Sequence, residues 1–497
     1  MWTFILGVVA LIVGYFTYGR YIEKNFEPSP ERTTPAEVLQ DGMDFVPMPR
    51  WKNAIIELLN IAGTGPVFGP IMGALYGPVA YLWIVFGCIF AGAVHDYMLG
   101  MVSLRNNGAQ LPALAGKYIN KGTMHVVNLF ACLLLLLVGT VFVSSPAALI
   151  QSLLPGNVAL IIIIIAIFIY YIISTVLPID KAMGKVYPWF GAVLIISTVA
   201  IGLTLIFGDH SMVELSSATM ANFHPKGLAI FPGIFFTISC GAMSGFHATQ
   251  APMVSRTMEN EREGRFTFYG MMIAEGVIAM IWVAASLALF DGETLSGMID
   301  AGTASAVVNA VSLELLGPVF GTLAIIGVIV LPLSSGLSAF RSLRIIIADY
   351  VHMKQDTLPK VMTITIPIYV ISFFLTFVDF NILWRYFNWA NQVTAVLALL
   401  VTTRYLFLKG RNYFVTLVPG VFMLYAVVVY LLSEPIGFNL GLSNLSYWGG
   451  AAITLVLLAV YWRQGIKQKE ALDPSSKLIN DQLQIRQLYP ELVEKSS

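Results

Sequence analysis

Asn60-Ile61-Ala62-Gly63-Thr64-Gly65-Pro66, followed by Gly69 and Pro70, and Ser239-Cys240-Gly241-Ala242-Met243-Ser244-Gly245-Phe246-His247, followed by Thr249, Gln250 and Pro252, are the stretches on which the fold turns. Each lies inside an apolar run, 54–74 and 229–251, long enough to cross a bilayer. Glycine and proline weaken or break a helical hydrogen-bond ladder. Backbone groups freed at that depth are tolerated only where protein or a wet cavity satisfies them. The bland alternative is close helix packing through small residues.

The rest of the chain is written for a membrane. Of its 497 residues, 57% are hydrophobic and 11% charged. Mean hydropathy is +0.78. A soluble domain carries about 25% charged residues, so this composition cannot coat a water-soluble body of this size. Net charge is zero, which recruits no nucleic acid. Cys88, Cys132 and Cys240 lie in apolar stretches and form neither a disulfide framework nor a paired-cysteine metal motif. The N-terminal run lacks a basic leader and a cleavage site, and reads as a retained helix.

Thirteen apolar segments can be threaded: 2–19, 54–74, 79–103, 125–153, 157–177, 188–207, 229–251, 267–290, 317–340, 361–381, 384–405, 413–432 and 447–463. Alternating sides sorts the basic residues. One side takes Arg20, Lys24, Arg32, Arg50 and Lys52, then Arg105, Lys117 and Lys121, then Lys181 and Lys185. Arg256, Arg262, Arg265, Arg341, Arg344, Lys354, Lys360, Arg404, Lys409 and Arg411 follow, and the tail from Arg463 adds six more. Only Lys226 and Arg385 fall opposite. Cytoplasmic loops carry the positive excess, which predicts an outside N-terminus and a cytoplasmic C-terminus.

The two punctuated spans are five apart. Five is odd, so they run in opposite directions, and each opens a five-helix unit: 54–207 and 229–405. This predicts an all-α polytopic protein with a five-plus-five inverted repeat. Residues 1–53 form a peripheral helix and cytoplasmic loop, 413–463 two C-terminal helices, and 464–497 a cytoplasmic tail. In such repeats, discontinuous helices frame a midplane solute site, and half-helix N-termini offer partial positive charge to an anionic group.

Candidate solute ligands are therefore Asn60, Gly63, Thr64, Gly65, Gly241, Ser244, Gly245 and His247 at the breaks, with Asn391 and Gln392 deeper in the eleventh span. For Asn388, Asn391 and Gln392, bonding between helices is the structural alternative. Ionisable residues within spans are functional candidates by default. His95, Asp96 and Glu275 are candidate ion-coupling groups, together with the hydroxyls of Ser334 and Ser335. Glu275, in MMIAEGVIAMIW, has no basic residue in its span. Charge is costly for such a carboxylate, which suits a proton carrier. Glu57 lies near enough to Lys52 and the interface to read as structural. His95 and Asp96 could instead pair with Arg105, and Ser334 and Ser335 could bond back along their own helix.

Several stretches together resemble the carbon starvation protein A family of bacterial inner-membrane transporters. They are DGMDFVPMPR (41–50), NIAGTGPVFGPIMGALYGP (60–78), LWIVFGCIFAGAVHDYMLGMVSLRNNG (82–108), SGFHATQAPMVSRTMENEREGR (244–265), SAFRSLRIIIADY (338–350) and LWRYFNWANQ (383–392). The resemblance implies an amino acid–polyamine–organocation type fold. It implies import of pyruvate, short peptides or amino acids when preferred carbon is scarce, and proton symport. Longer relatives carry extra C-terminal helices, and many have an acidic residue near 334–338, where this chain has Leu337. That departure leaves sodium open as the coupling ion.

The expected function is thus secondary transport, with a small organic solute and the bilayer as partners and no cofactor or structural metal. An intramembrane enzyme is disfavoured: adjacent His95 and Asp96 lie about 100° apart on a helix, and neither an HExxH motif nor a phosphate-binding loop is present. A membrane starvation sensor without a transport cycle is the other alternative, and it would call for a signalling domain. Nothing in the sequence reports the oligomeric state.

Overall fold

The computed structural model describes residues 1–42, 44–154, 158–175, 187–208, 210–355 and 357–472. Among them the chain is helical, with a single isolated bridge between Met48 and Met258. Among the described residues, nine helices are long and apolar enough to cross a membrane. Counting Arg50–Ala62 and Gly65–Tyr76 as one span bent by 45° makes ten. The remaining expected spans fall on Leu160–Thr175, Tyr187–Phe207, and the pair Ile230–Thr237 and His247–Ser255. The expected loop at Lys181 and Lys185 and most of the tail lie outside the described residues.

Two boundaries differ from the threading. Helix Trp2–Phe16 is followed by Tyr18–Phe26, so the first loop begins later than residue 20. The span expected at 317–340 belongs to a helical run, Gly292–Tyr350, interrupted at Gly302, Thr303 and Gly317. Gly317 takes φ 71°, and Pro318 begins the next helix where its missing N–H costs nothing. From there the helix continues unbroken past the expected end, carrying Arg341 and Arg344. It packs along Lys121–Leu153.

Ion pairs respect the alternation of loops. Arg105 and Arg32 meet Glu261, Arg265 meets Glu23, Arg341 and Arg344 meet Asp44, and Arg411 meets Glu27. All these residues sit on the face where the threading gathers basic residues. Lys226 meets Asp300, and the N-terminal ammonium meets Glu214, on the opposite face.

Cysteine labelling tests the sidedness. A probe at Arg262, which is exposed on the basic face, is expected to react from the cytoplasm. A probe at Thr294, exposed on the other, is expected to react from outside. Outside labelling at position 262 would overturn the threading and the inverted repeat together.

Candidate solute and ion site

The first break follows from backbone chemistry. Helix Arg50–Ala62 ends at Gly63, with φ 45° and ψ −150°, a conformation open to glycine and hostile to other residues. Ser335 closes the gap from the long helix. Its Oγ accepts from the Gly63 N–H at 3.0 Å and donates to the Leu59 carbonyl at 2.6 Å. Ser334 donates to Leu331 within its own helix at 2.7 Å and reaches the Leu59 carbonyl at 3.4 Å. Both serines, expected as ion ligands, are thus gathered at the broken span.

The second break spans 238–246, with Gly241 at φ 86°. Four side chains clamp it. Trp83 Nε1 donates to the Ile238 carbonyl at 2.8 Å. Gln392 Nε2 donates to the carbonyls of Phe235 and Met243, at 2.8 and 3.2 Å. Asn391 Oδ1 accepts from Ser244 Oγ at 3.1 Å and from the Phe246 N–H at 2.7 Å. Asn388 Oδ1 accepts from Ser239 Oγ at 3.1 Å. Asn391 and Gln392 therefore spend these bonds on the unwound backbone, leaving Asn391 Nδ2 and Gln392 Oε1 buried without partners.

The two breaks touch. A Cβ on Gly65 would lie 2.2 Å from Cys240 Sγ, and one on Gly245 would lie 2.0 Å from the Asn391 carbonyl. Packing is thus a real duty of these two glycines, alongside any role in binding. Asn60 and Thr64 are fully buried, and their side-chain polar atoms have no hydrogen-bond partner. An unpaired buried polar group costs about 1–3 kcal/mol, so these atoms mark a place where water or a ligand belongs.

Beside them lies a chain of ionisable groups drawn from four spans. His95 Nδ1 is 2.8 Å from Asp96 Oδ1, and His247 Nδ1 is 2.9 Å from Asp96 Oδ2. His247 Nε2 faces Glu275 Oε2 at 3.5 Å. Glu57 is fully buried, without a hydrogen-bond partner, within electrostatic reach of Asp96, His247 and Glu275. An ionised carboxylate only accepts, so Asp96 assigns the proton of each histidine to Nδ1. His247 Nε2 is then left facing Glu275. Cys240 Sγ, His247 and Glu275 also offer ligand atoms within 4.8 Å of one another, a donor set that zinc or a similar ion accepts.

Sequence reading placed His95, Asp96, His247 and Glu275 as candidates, and the fold joins them. Asp96 bonds to the two histidines, while Arg105 goes to Glu261. Glu57, read from sequence as structural, joins the same buried group. Its position three residues before Asn60 puts both on one helix face, and that was the available signal. Cys240 had no signal beyond its place within the break.

Comparison with known proteins agrees with this architecture. Residues 1–168 and 157–317 match the family profile described as carbon starvation protein CstA. An uncharacterized membrane protein of Haemophilus influenzae is 45% identical over 352 residues, covering 61% of this chain and 95% of that protein. The pyruvate/proton symporter BtsT of Escherichia coli is 27% identical, covering 58% of this chain and 49% of the symporter. The peptide transporter CstA of Escherichia coli is 25% identical, covering 62% of this chain and 54% of that protein. The matched region thus spans about half the length of these named transporters. A crystal structure of a manganese transporter variant from Eremococcus coleocola superposes with a TM-score of 0.50 at 11% identity. It covers 90% of this chain and 99% of its own, a likeness of fold alone.

Proposed function

Because this chain belongs to the carbon starvation protein CstA family, we propose that it is a secondary transporter which imports a small organic solute by proton symport. The observation that carries this reading is the meeting of two broken helices beside orphaned polar atoms and a buried chain of ionisable groups. Asn60 and Thr64 supply unspent donors and acceptors to the solute. Helices Gly65–Gly73 and His247–Ser255 begin at the breaks, and their N-termini favour an anionic group. The solute class is pyruvate, short peptides or amino acids, and the setting is a bacterial inner membrane with the C-terminus in the cytoplasm.

Proton coupling runs through His247. Held by Asp96 at Nδ1, the imidazole presents Nε2 to Glu275. A proton on Glu275 or on His247 changes the charge of a site closed off from water, and solute binding responds to that change. Sodium is the second reading. Ser334 and Ser335 meet the Leu59 carbonyl, and hard cations take oxygen ligands.

Uptake of labelled pyruvate, dipeptides and amino acids into proteoliposomes, under imposed proton or sodium gradients, tests the proposal. Accumulation of none of them under either gradient would sink it. Chelator treatment is expected to leave uptake unchanged. Loss restored by zinc or manganese would instead place a metal at Cys240, His247 and Glu275.

A further inference from the structure

Cys240 sits where the two breaks cross, with its Sγ against Gly65 of the first. Beside it, Gly241 packs directly on Ala279 of helix Met271–Leu289. Glu275 stands one turn before Ala279 on the same helix face. His247 opens helix His247–Ser255 at the far end of the break. Cys240, His247 and Glu275 thus converge from a break, a helix start and a neighbouring span, and all three are buried. One ligand atom from each lies within 4.8 Å of the other two.

The donors are unspent. His247 Nε2 and both Glu275 carboxylate oxygens have no hydrogen-bond partner, and Nε2 faces Oε2 at 3.5 Å. Cys240 turns its S–H toward Ser244 Oγ at 3.5 Å, which leaves the sulfur lone pairs. Asp96 stands behind the histidine, accepting from Nδ1–H at 2.9 Å. A carboxylate in that place is the usual support of a metal-ligating imidazole, since it fixes the tautomer with the other nitrogen bare and raises its basicity. His95 holds the second oxygen of Asp96 at 2.8 Å and so fixes the carboxylate in turn.

Thiolate and imidazole select zinc and its neighbours over magnesium or calcium. Bond lengths of about 2.0–2.3 Å put the donors of tetrahedral zinc about 3.4–3.6 Å apart. The gap between His247 and Glu275 already has that width. Closing a separation of at most 4.8 Å to the sulfur asks about 1 Å of side-chain movement. Ionised, Cys240 and Glu275 neutralise the charge of a divalent ion, which lowers the cost of burying it. Coordination releases the thiol proton to solvent. Water takes the fourth position, as in other zinc sites with three protein ligands.

We propose that Cys240, His247 and Glu275 bind a zinc-class divalent ion, and that the bound ion arrests transport. The site stands apart from the transport reading; the arrest rests on it. An ion held here ties the second break to helix Met271–Leu289 at the point where it crosses the first. Transporters with broken helices work by moving such elements about the solute site. The ion also occupies His247 Nε2 and Glu275, the pair assigned to proton coupling. It inhibits and is not required, so uptake in chelator is the baseline.

Cobalt titration of the purified full chain in lipid nanodiscs tests the site, because cobalt accepts zinc's ligands and shows a charge-transfer band when bound to thiolate. The band is expected in wild type and absent in Cys240→Ser. Zinc should remove it and magnesium should not. Glu275→Gln should keep the band but weaken cobalt binding by about tenfold or more. No band in wild type, a band that survives Cys240→Ser, displacement by magnesium, or unchanged affinity in Glu275→Gln would each overturn the site. Should Cys240→Ser fail to fold, Cys88→Ser combined with Cys132→Ser decides, because Cys240 is then the one thiol of the chain. A band there supports the site, and its loss overturns it. Zinc at about ten times its Kd leaves about a tenth of the sites free, so solute uptake into proteoliposomes should fall about tenfold in wild type and hold in Cys240→Ser. Uptake that zinc leaves unchanged would overturn the arrest. A band without uptake of any solute keeps the metal site and removes the arrest together with the transport reading. Uptake without a band removes the metal site and leaves the transport reading standing.

Discussion

Glu275→Gln is expected to lose gradient-driven accumulation while retaining exchange of labelled for unlabelled solute. The substitution keeps the shape of a fully buried side chain facing His247 Nε2 at 3.5 Å and removes its ability to gain or lose a proton. One proton per solute under a gradient of one pH unit supports about tenfold accumulation, because about 1.4 kcal/mol is a factor of ten. Wild type should approach that ratio, and the variant should stop at equal concentrations inside and out. Exchange needs only an intact binding site and reorienting helices, so it separates lost coupling from lost folding. Full accumulation by Glu275→Gln, together with solute-driven sodium-22 uptake at constant pH, would move the coupling to Ser334, Ser335 and the Leu59 carbonyl.

Gly63→Leu and Gly241→Leu are each expected to abolish uptake while membrane insertion is largely kept. Two costs combine at each position. Positive φ, 45° at Gly63 and 86° at Gly241, strains any residue with a Cβ by roughly 1–3 kcal/mol. A Cβ would also lie 2.3 Å from Phe142 Cζ at Gly63 and 2.4 Å from Ala279 Cβ at Gly241, and overpacking costs about 1–3 kcal/mol. Even about 2 kcal/mol directed against the functional geometry is about a thirtyfold loss, so uptake should fall below about a thirtieth of wild type. Insertion depends on the apolar character of whole spans, which one leucine does not reduce. Ala279→Gly in the Gly241→Leu background should ease the clash but not the strained φ, and uptake should stay low. Normal uptake by both single variants would reduce these glycines to packing residues.

Some of this was open to a reader of residues alone. An apolar composition, the spacing of spans and the segregation of Lys and Arg depend on the bilayer as solvent, and a bilayer acts on each segment separately. Glycine and proline break helices through local backbone chemistry, so both interruptions were visible where they occur. Buried ionisable residues announce themselves by their cost, which is why His95, Asp96, His247 and Glu275 stood out singly. Their order of contact did not. That order depends on which helix faces turn toward each other, and rotation about a helix axis is set by packing with distant segments. The same limit left bonding between helices only an alternative for Asn391 and Gln392, whose bonds run to backbone more than 140 residues away. It placed Glu57 at an interface in sequence and in a sealed core in space. Asp44 shows the limit most clearly: in sequence it is one acid in a polar loop, and only tertiary structure sets it among arginines from two separate helices.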